Sequence, residues 1–197
     1  MEFYGLLGEK LSHSLSPKIN KIILEENNNE GAYKLFEIPK DKLENFVEAV
    51  KLLKIKGFNF TIPYKESIIK YLDCISDEAT RIGAVNTVML KDNKLYGYNT
   101  DYFGIEVMIK SKNINVKNKT AVILGSGGAC KAVLTYLLDN GVEKIYIASR
   151  TPENINLNNI NKRIEIINYY ELANINGYII INTTPVGMYP NVDKSVV

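Results

Sequence analysis

A lysine and an aspartate that could exchange a proton stand among neutral hydrogen-bonding side chains in the first half of the chain. Lys65 follows an apolar segment in which Asn59 and Thr61 lie two positions apart, so their side chains share one face of a predicted strand. Asp101 ends the second strand of a predicted hairpin, within Asn99-Thr100-Asp101. A lysine beside a carboxylate can supply the proton that a ketone takes up when it accepts a hydride. These residue types suit a polyhydroxylated acid as ligand.

Two serines before a predicted helix could bind the carboxylate of such a ligand. Ser14 and Ser16 flank Leu15, and Pro17 falls at the first helical position, where its missing N–H costs nothing. Free N–H groups at a helix start favour an anion, and the two hydroxyls add donors. Ser16 is equally well explained as an ordinary N-cap. Asn86, which interrupts the apolar run Val85–Leu90, supplies a further neutral donor.

A glycine-rich turn in the second half has the context expected of a dinucleotide site. Gly125-Ser126-Gly127-Gly128-Ala129 follows the continuous apolar strand Thr120–Leu124 and opens a helix. Gly125 permits the tight turn, and Gly127 lets the main chain approach a pyrophosphate at the positive end of the helix. Cys130, at the third fingerprint position, is small enough for close packing. The alternative is a purely structural turn, but the flanking strand and helix favour a dinucleotide.

The end of the next predicted strand indicates which dinucleotide. An NAD site normally has an acid there that accepts from the ribose 2′-OH, whereas this chain has Ser149-Arg150-Thr151. An arginine and two hydroxyls can donate to a 2′-phosphate, which a carboxylate would repel. The segment therefore predicts NADP. Arg150 alone could also be a surface arginine on a loop.

Strand and helix patterns alternate along the whole chain, which predicts α/β architecture. Residues Asp41 to Leu53 form an amphipathic helix with apolar residues at Leu43, Phe46, Val47, Val50 and Leu53. We expect a mixed-sheet substrate domain over 1–101, a connecting helix and linker over 102–118, and a Rossmann-type domain over 119–197. Predicted strands are Phe3–Leu7, Ala32–Ile38, Gly57–Ile62, Val85–Leu90, Leu95–Tyr98, Thr120–Leu124, Lys144–Ala148, Ile164–Ile167 and Tyr178–Ile181.

Composition excludes several classes of function. The 197 residues carry a formal net charge of +2 with scattered basic residues, which argues against a nucleic-acid partner. Apolar runs are strand-sized, and the N-terminus lacks a signal-peptide pattern, so no membrane association is expected. Cys74, Cys130 and the single histidine lack metal-ligand spacing, which predicts no metal site and a reduced, cytoplasmic location.

Several segments together resemble the shikimate dehydrogenase family, in the family's order and over essentially the whole chain. The matching segments are Ser14-Leu15-Ser16-Pro17, Asn59-Phe60-Thr61-Ile62-Pro63-Tyr64-Lys65, Gly83-Ala84-Val85-Asn86-Thr87, Asn99-Thr100-Asp101 with Gly104, the glycine turn at Gly125, and Asn182-Thr183-Thr184-Pro185 with Gly187-Met188. Independent motifs in one order are far more specific than a single glycine turn.

The resemblance implies reversible NADPH-dependent reduction of 3-dehydroshikimate to shikimate, in chorismate and aromatic amino-acid biosynthesis. It implies that Lys65 is the proton donor and acceptor, with Asp101 as its partner, and that His13 orients rather than transfers protons. Ser14 and Ser16 would hold the substrate carboxylate. The remaining implied substrate contacts are Asn59, Thr61, Asn86 and Asp101.

For the cofactor, the resemblance places the nicotinamide near Asn182, Thr184 and Met188, with Asp77 approaching it from the first domain. One departure is Ser149, where the family usually has Asn, which weakens but does not remove the argument for a 2′-phosphate. A quinate/shikimate paralogue and a non-catalytic dinucleotide-binding fragment remain open as alternatives.

The chain ends at Val197, before a further strand, a Tyr-x-Pro segment and late helices of the family, which carry a glutamine that contacts substrate. We therefore expect a chain that folds and binds NADP but turns over poorly alone. An exposed sheet edge is also expected to favour self-association, with a homodimer as the simplest form.

Overall fold

The computed structural model describes residues 1–155 and 161–196 and divides into two compact units, Met1–Thr100 and Asp101–Val197. Each unit has its own sheet and its own apolar core. Within the described residues no helix is both long enough and apolar enough to span a bilayer.

The first unit contains a six-stranded mixed sheet in the order β2-β1-β3-β5-β6-β4. Strand β1 pairs in parallel with β2 and β3, whereas β5 runs antiparallel to both β3 and β6. The strands are β1 Glu2–Gly8, β2 Gly31–Glu37, β3 Gly57–Phe60, β4 Cys74–Ile75, β5 Thr87–Lys91 and β6 Lys94–Tyr98. The helices are α1 Ser16–Glu26, α2 Leu43–Leu53, α3 Tyr64–Ser67 and α4 Asp77–Ile82, with 3₁₀ turns at Lys40–Lys42 and Ile69–Tyr71.

The hairpin between β5 and β6 forms with a two-residue loop, although it lacks the preferred Asn-Gly pair. Asp92 and Asn93 have φ values of 49° and 59°. Two consecutive positive φ values are what a type I′ turn requires, and Asp and Asn tolerate them better than other non-glycine residues. The register then aligns Lys91 with Lys94 and Thr87 with Tyr98.

One face of this sheet is apolar and the other is polar around β3. Phe58 and Phe60 are each 3% exposed and pack in the core with α2, while the intervening Asn59 points to the opposite face. The predicted face of α2 is correct at Leu43, Phe46, Val47 and Val50, which are buried. It is wrong at Leu53, which is 64% exposed because it occupies the last helical position.

The second unit contains a four-stranded sheet in which every pair is parallel, in the order β10-β7-β8-β9. Helix α6 packs its buried residues on this sheet, and the rings of Tyr102 in α5 and Tyr136 in α6 lie 5.7 Å apart. The elements are α5 Asp101–Ser111, β7 Thr120–Leu124, α6 Gly128–Asp139, β8 Lys144–Ser149, β9 Ile164–Asn168 and β10 Ile179–Asn182, with 3₁₀ turns at Pro152–Asn154 and Tyr169–Asn174.

Three predicted boundaries near the candidate site are corrected. Strand β3 ends at Phe60, so Thr61 lies just beyond it rather than on the same strand as Asn59. Strand β5 begins at Thr87, and Asn86 precedes it. Asp101 starts α5 instead of ending the hairpin, because the hairpin strand stops at Tyr98. Strand β4 and helix α4, both short, were not predicted.

Candidate active site

The loop between β1 and α1 holds the two serines in a compact turn. The Glu37 carboxylate accepts the main-chain N–H of Leu11 at 2.5 Å, and the N–H of Ser14 donates to the Leu11 carbonyl at 2.9 Å. The Ser14 hydroxyl oxygen then accepts the N–H of Ser16 at 3.2 Å. Ser14 can therefore still donate its own proton to a ligand at the start of α1.

Ser16 is not the N-cap of α1, because Leu15 occupies that position and Ser16 is the first helical residue. Helix α1 has no side-chain cap, so a polar ligand at this end would find main-chain donors. Both serines are half-buried, and neighbouring His13 is exposed.

Asn59 and Asn86 belong to one hydrogen-bonded array across β3 and β5. The Asn59 amide nitrogen donates to the Thr87 hydroxyl at 3.1 Å, and that hydroxyl donates to Asn86 Oδ1 at 2.9 Å. Asn86 Oδ1 also accepts the N–H of Thr100 at 2.9 Å and its hydroxyl at 3.2 Å. Because a main-chain N–H can only donate, the orientation of the Asn86 amide is set, with its NH₂ group turned away from Thr100.

Tyr33 of β2 extends this array to the serine loop. Its hydroxyl donates to Asn59 Oδ1 at 2.8 Å. Burial raises the pKa of Tyr33 to about 12, and a hydrogen bond with the Ser16 side chain opposes this shift. The phenol therefore stays protonated and connects Ser16 with Asn59.

Thr61 and Lys65 are positioned by main-chain hydrogen bonds. The N–H of Thr61 donates to the Leu7 carbonyl of β1 at 3.0 Å, and the Thr61 carbonyl accepts from Tyr64 at 2.9 Å. Tyr64 is 1% exposed, and its hydroxyl donates to the Ile38 carbonyl. The carbonyl of Lys65 accepts the N–H of Val85 at 2.7 Å, which holds the short helix α3 beside the segment that carries Asn86.

Two predicted residues remain: Asp77 of the first unit and Asp101, the first residue of the second unit. Asp77 is exposed in the first turn of α4, whose N-cap Ser76 accepts the N–H of Ala79 at 3.3 Å. Asp101 is half-buried and directly follows Thr100, whose N–H is bonded to Asn86.

Gly125 and Gly127, in the turn after β7, differ in whether the fold itself requires a glycine. Gly125 has φ +96°, and a Cβ atom there would lie 2.7 Å from Thr184 Cγ2. Gly127 has φ −80° and ψ −170°, an extended conformation open to any residue, and a Cβ atom there would meet nothing within 4 Å. The fold therefore requires Gly125 but not Gly127. The space above Gly127 fits the predicted approach of a pyrophosphate to the main chain.

The start of α6 supplies the other features of a phosphate cradle. Ser126 and Gly127 are exposed, and helix α6 begins at Gly128, followed by Ala129. The first N–H groups of a helix have no intrahelical acceptor and favour an anion. Cys130 is 1% exposed, as expected from close packing, and burial raises its pKa to about 12.

The carboxyl end of β8 carries the predicted 2′-phosphate residues. Ser149 is 6% exposed, and its hydroxyl oxygen accepts the N–H of Thr151 at 3.2 Å. Arg150 is exposed. Burial raises the pKa of Tyr169, and the positive charge of Arg150 partly offsets this effect. Asn168 of β9 stands opposite Ser149 in the register, so both neighbouring strand ends present a neutral residue.

The loop after β10 is built around Asn182 and anchored to Leu124, the last residue of β7. Asn182 Oδ1 accepts the N–H of Thr184 at 2.9 Å and its hydroxyl at 2.7 Å, and the Asn182 amide donates to Val186 at 3.0 Å. Thr183 donates to the Leu124 carbonyl through its N–H and its hydroxyl, at 2.9 and 2.8 Å. Met188 in the same loop is 64% exposed.

Side chains that contact the predicted residues but were not among the sequence-based candidates include Tyr33, Thr87 and Thr100. Thr87 directly follows Asn86 and Thr100 directly precedes Asp101, so adjacency was a usable signal. No sequence signal pointed to Tyr33, because its contact with Asn59 depends on the register of β2, β1 and β3. Among the described residues, no group of three or more His, Cys, Asp or Glu side chains could hold a metal ion.

Comparison with known proteins places these residues in a family. A model described as the shikimate dehydrogenase substrate binding domain matches residues 6–88, and one described as shikimate / quinate 5-dehydrogenase matches residues 107–183. Shikimate dehydrogenase (NADP(+)) of Clostridium beijerinckii is 56% identical over 197 residues, covering 100% of this chain and 73% of that protein. This chain belongs to the shikimate dehydrogenase family.

Solved structures of shikimate dehydrogenases have the same fold. Shikimate dehydrogenase 1 from Peptoclostridium difficile is 57% identical with a TM-score of 0.95, over 100% of this chain and 72% of that one. The shikimate 5-dehydrogenase of Thermus thermophilus, solved with NADP(H) and shikimate, is 31% identical with a TM-score of 0.83, over 100% of this chain and 73% of that one. The predicted α/β class, with a mixed-sheet unit followed by a Rossmann-type unit, is confirmed.

Proposed function

We propose that this chain is an NADP-dependent shikimate dehydrogenase, which reversibly reduces 3-dehydroshikimate to shikimate in aromatic amino-acid biosynthesis. The observation that carries the proposal is the array of Asn59, Thr87 and Asn86 beside Lys65, in a chain 56% identical to a shikimate dehydrogenase (NADP(+)). An apolar core lies behind the array, so the amides serve as a polar wall for a small hydroxylated ligand.

Substrate binding uses donors of two kinds. The hydroxyls of Ser14 and Ser16, with the N–H groups at the start of α1, bind the carboxylate. Thr61, Asn59 and Asn86 donate to or accept from ring hydroxyls. An asparagine amide has two N–H donors and two carbonyl lone pairs, so the bonds to Tyr33 and Thr87 leave Asn59 further capacity for a ligand.

Lys65 is proposed to give a proton to the ketone oxygen during reduction and to take it back during oxidation. Its helix turn is held by Tyr64 and by Val85, which limits movement of the main chain that carries it. Asp101 is the proposed partner of the lysine, following Thr100 of the array. Positioning a proton donor in this way is worth about 10²–10⁴-fold in rate.

The cofactor site is proposed at the glycine turn. NADP supplies a hydride acceptor, and NADPH the hydride, when bound. Main-chain groups from Gly125 to Ala129 hold the pyrophosphate, and Ser149, Arg150 and Thr151 hold the 2′-phosphate. The loop of Asn182, Thr184 and Met188 is proposed to face the nicotinamide, and Asp77 is proposed as a further cofactor-binding residue.

A turnover assay with four substrate and cofactor pairs tests the proposal. Shikimate or quinate is combined with NADP or NAD, and reduced nucleotide is followed by its absorbance. The proposal predicts the largest kcat/KM for shikimate with NADP. A larger value with NAD or with quinate would favour the quinate/shikimate paralogue. NADP binding without turnover of any pair would favour a non-catalytic dinucleotide-binding fragment.

We also propose a cytoplasmic location and a homodimer. Cys74 and Cys130 are both free thiols, as expected in a reducing compartment. Within the described residues β10 pairs only with β7, so its other edge presents main-chain groups that a second copy could use. Light scattering with size separation should give twice the chain's 22.2 kDa, and a monomeric mass would contradict the dimer.

A further inference from the structure

Thr87 occupies the centre of the polar wall and touches both asparagines at once. Its hydroxyl accepts the Asn59 amide proton at 3.1 Å and donates to Asn86 Oδ1 at 2.9 Å. In the antiparallel register Thr87 stands directly opposite Asn59, so the contact comes from the sheet pairing and not from a mobile loop. Thr87 is half-buried between these two neighbours.

The directions of these hydrogen bonds determine the orientation of both amides. The N–H of Thr100 fixes Asn86 Oδ1 as an acceptor. The Thr87 hydroxyl, which uses its one proton on that oxygen, can only accept from Asn59. Asn59 must then present Oδ1 to the Tyr33 hydroxyl. The orientation of the Asn59 amide therefore depends, through the Thr87 hydroxyl, on that of the Asn86 amide.

We infer that Thr87 is a positioning residue for substrate binding, which acts by orienting the amide of Asn59 rather than by touching the substrate. The inference rests on the proposed function, since it assumes that the Asn59 amide contacts shikimate. Without the hydroxyl, Asn86 is still held by Thr100, but the Asn59 NH₂ group loses its acceptor, and binding must then select one of two amide orientations.

The test compares Thr87→Val with Thr87→Ser. Valine keeps the branched shape that suits a strand but has no hydroxyl, whereas serine keeps the hydroxyl and removes a methyl group. Thr120→Val is the matched control, because it makes the same change at the first residue of another strand, β7, at the end away from the glycine turn. Valine in place of Thr87 should raise KM for shikimate roughly tenfold, with KM for NADP unchanged.

Serine at position 87 should keep KM for shikimate close to wild type, because rescue requires only the hydroxyl. The control Thr120→Val should leave both KM values unchanged. A KM for shikimate that rises equally in the serine and valine variants would overturn the inference, since it would assign the effect to the lost shape. A KM that stays unchanged in Thr87→Val would overturn it as well.

Nuclear magnetic resonance gives a readout that does not need turnover. The side-chain NH₂ resonances of Asn59, assigned by an Asn59→Asp replacement, should shift in Thr87→Val but not in the control Thr120→Val. Wild-type protein that fails to bind shikimate would contradict the proposed function itself. Wild-type binding with the Asn59 NH₂ resonances unmoved in Thr87→Val would contradict only the role of Thr87.

Discussion

Replacing Gly127 by alanine should weaken cofactor binding without weakening the fold, whereas the same change at Gly125 should weaken the fold itself. At Gly127 the backbone angles are open to alanine and the new Cβ would meet nothing within 4 Å. Alanine also restricts the unfolded chain, so Gly127→Ala should be neutral or more stable by ~0.4–1 kcal/mol. The added methyl group would occupy the space proposed for the pyrophosphate.

The magnitude at Gly125 follows from two separate penalties. A non-glycine residue at φ +96° costs about 1–3 kcal/mol of backbone strain. A Cβ atom 2.7 Å from Thr184 Cγ2 must also displace the loop after β10, which costs ~1–3 kcal/mol as overpacking. Gly125→Ala should therefore lower the free energy of unfolding by about 2–6 kcal/mol.

Urea unfolding and calorimetric titration with NADP measure the two effects on the same three proteins. Gly127→Ala should unfold at or above the wild-type midpoint and bind NADP roughly 10- to 150-fold more weakly, the equivalent of one lost charge-assisted hydrogen bond. The reasoning is refuted if Gly127→Ala binds NADP as tightly as wild type. It is equally refuted if Gly127→Ala loses as much stability as Gly125→Ala.

Two further predictions concern cofactor choice and alkaline pH. Arg150→Ala should weaken NADP binding by ~1.5–3 kcal/mol and NAD binding far less. The control Arg163→Ala, which changes an arginine just before β9, should change the binding of neither cofactor. Equal weakening of NADP and NAD binding in Arg150→Ala would contradict a contact with the 2′-phosphate. The buried Cys130 thiol ionises in the unfolded chain near its ordinary pKa of 9.0 but in the folded chain only near about 12. Between these values the unfolded state binds fewer protons, so this thiol should lower the free energy of unfolding by ~1.4 kcal/mol per pH unit as the pH rises. Urea midpoints across this range should fall less steeply in Cys130→Ala than in wild type, with the exposed Cys74→Ala as control, and equal slopes would contradict the assignment.

The residues that form the site could be predicted where local sequence decides their setting. The glycine turn follows a continuously buried strand and opens a helix, so its motif and its structural context agree. The hairpin predicted from Val85–Leu90 and Leu95–Tyr98 also formed, with strands that reach Lys91 and Lys94 and leave a two-residue loop. Local pattern was sufficient in both places.

Contacts that depend on sheet register could not be predicted from the sequence. Tyr33 reaches Asn59 across 26 positions of sequence, because β1 lies between β2 and β3 and pairs in parallel with both. No spacing rule encodes that alignment. The boundary error at Thr61 has a related cause, since the strand-like run continues to Ile62 but the pairing of β3 ends at Phe60.

The central claim, that Lys65 transfers the substrate proton while the glycine turn separately binds NADP, is tested most directly by Lys65→Ala. The matched control is Lys70→Ala, which removes an exposed lysine of the next turn, where its ammonium lies 4.8 Å from the Tyr71 ring centre. Initial rates with shikimate and NADP, together with the NADP dissociation constant, should be measured for both variants. We expect Lys65→Ala to lose about 10²–10⁴-fold in kcat with an unchanged dissociation constant, and Lys70→Ala to keep both. A Lys65→Ala protein that retains near-normal kcat would contradict the account.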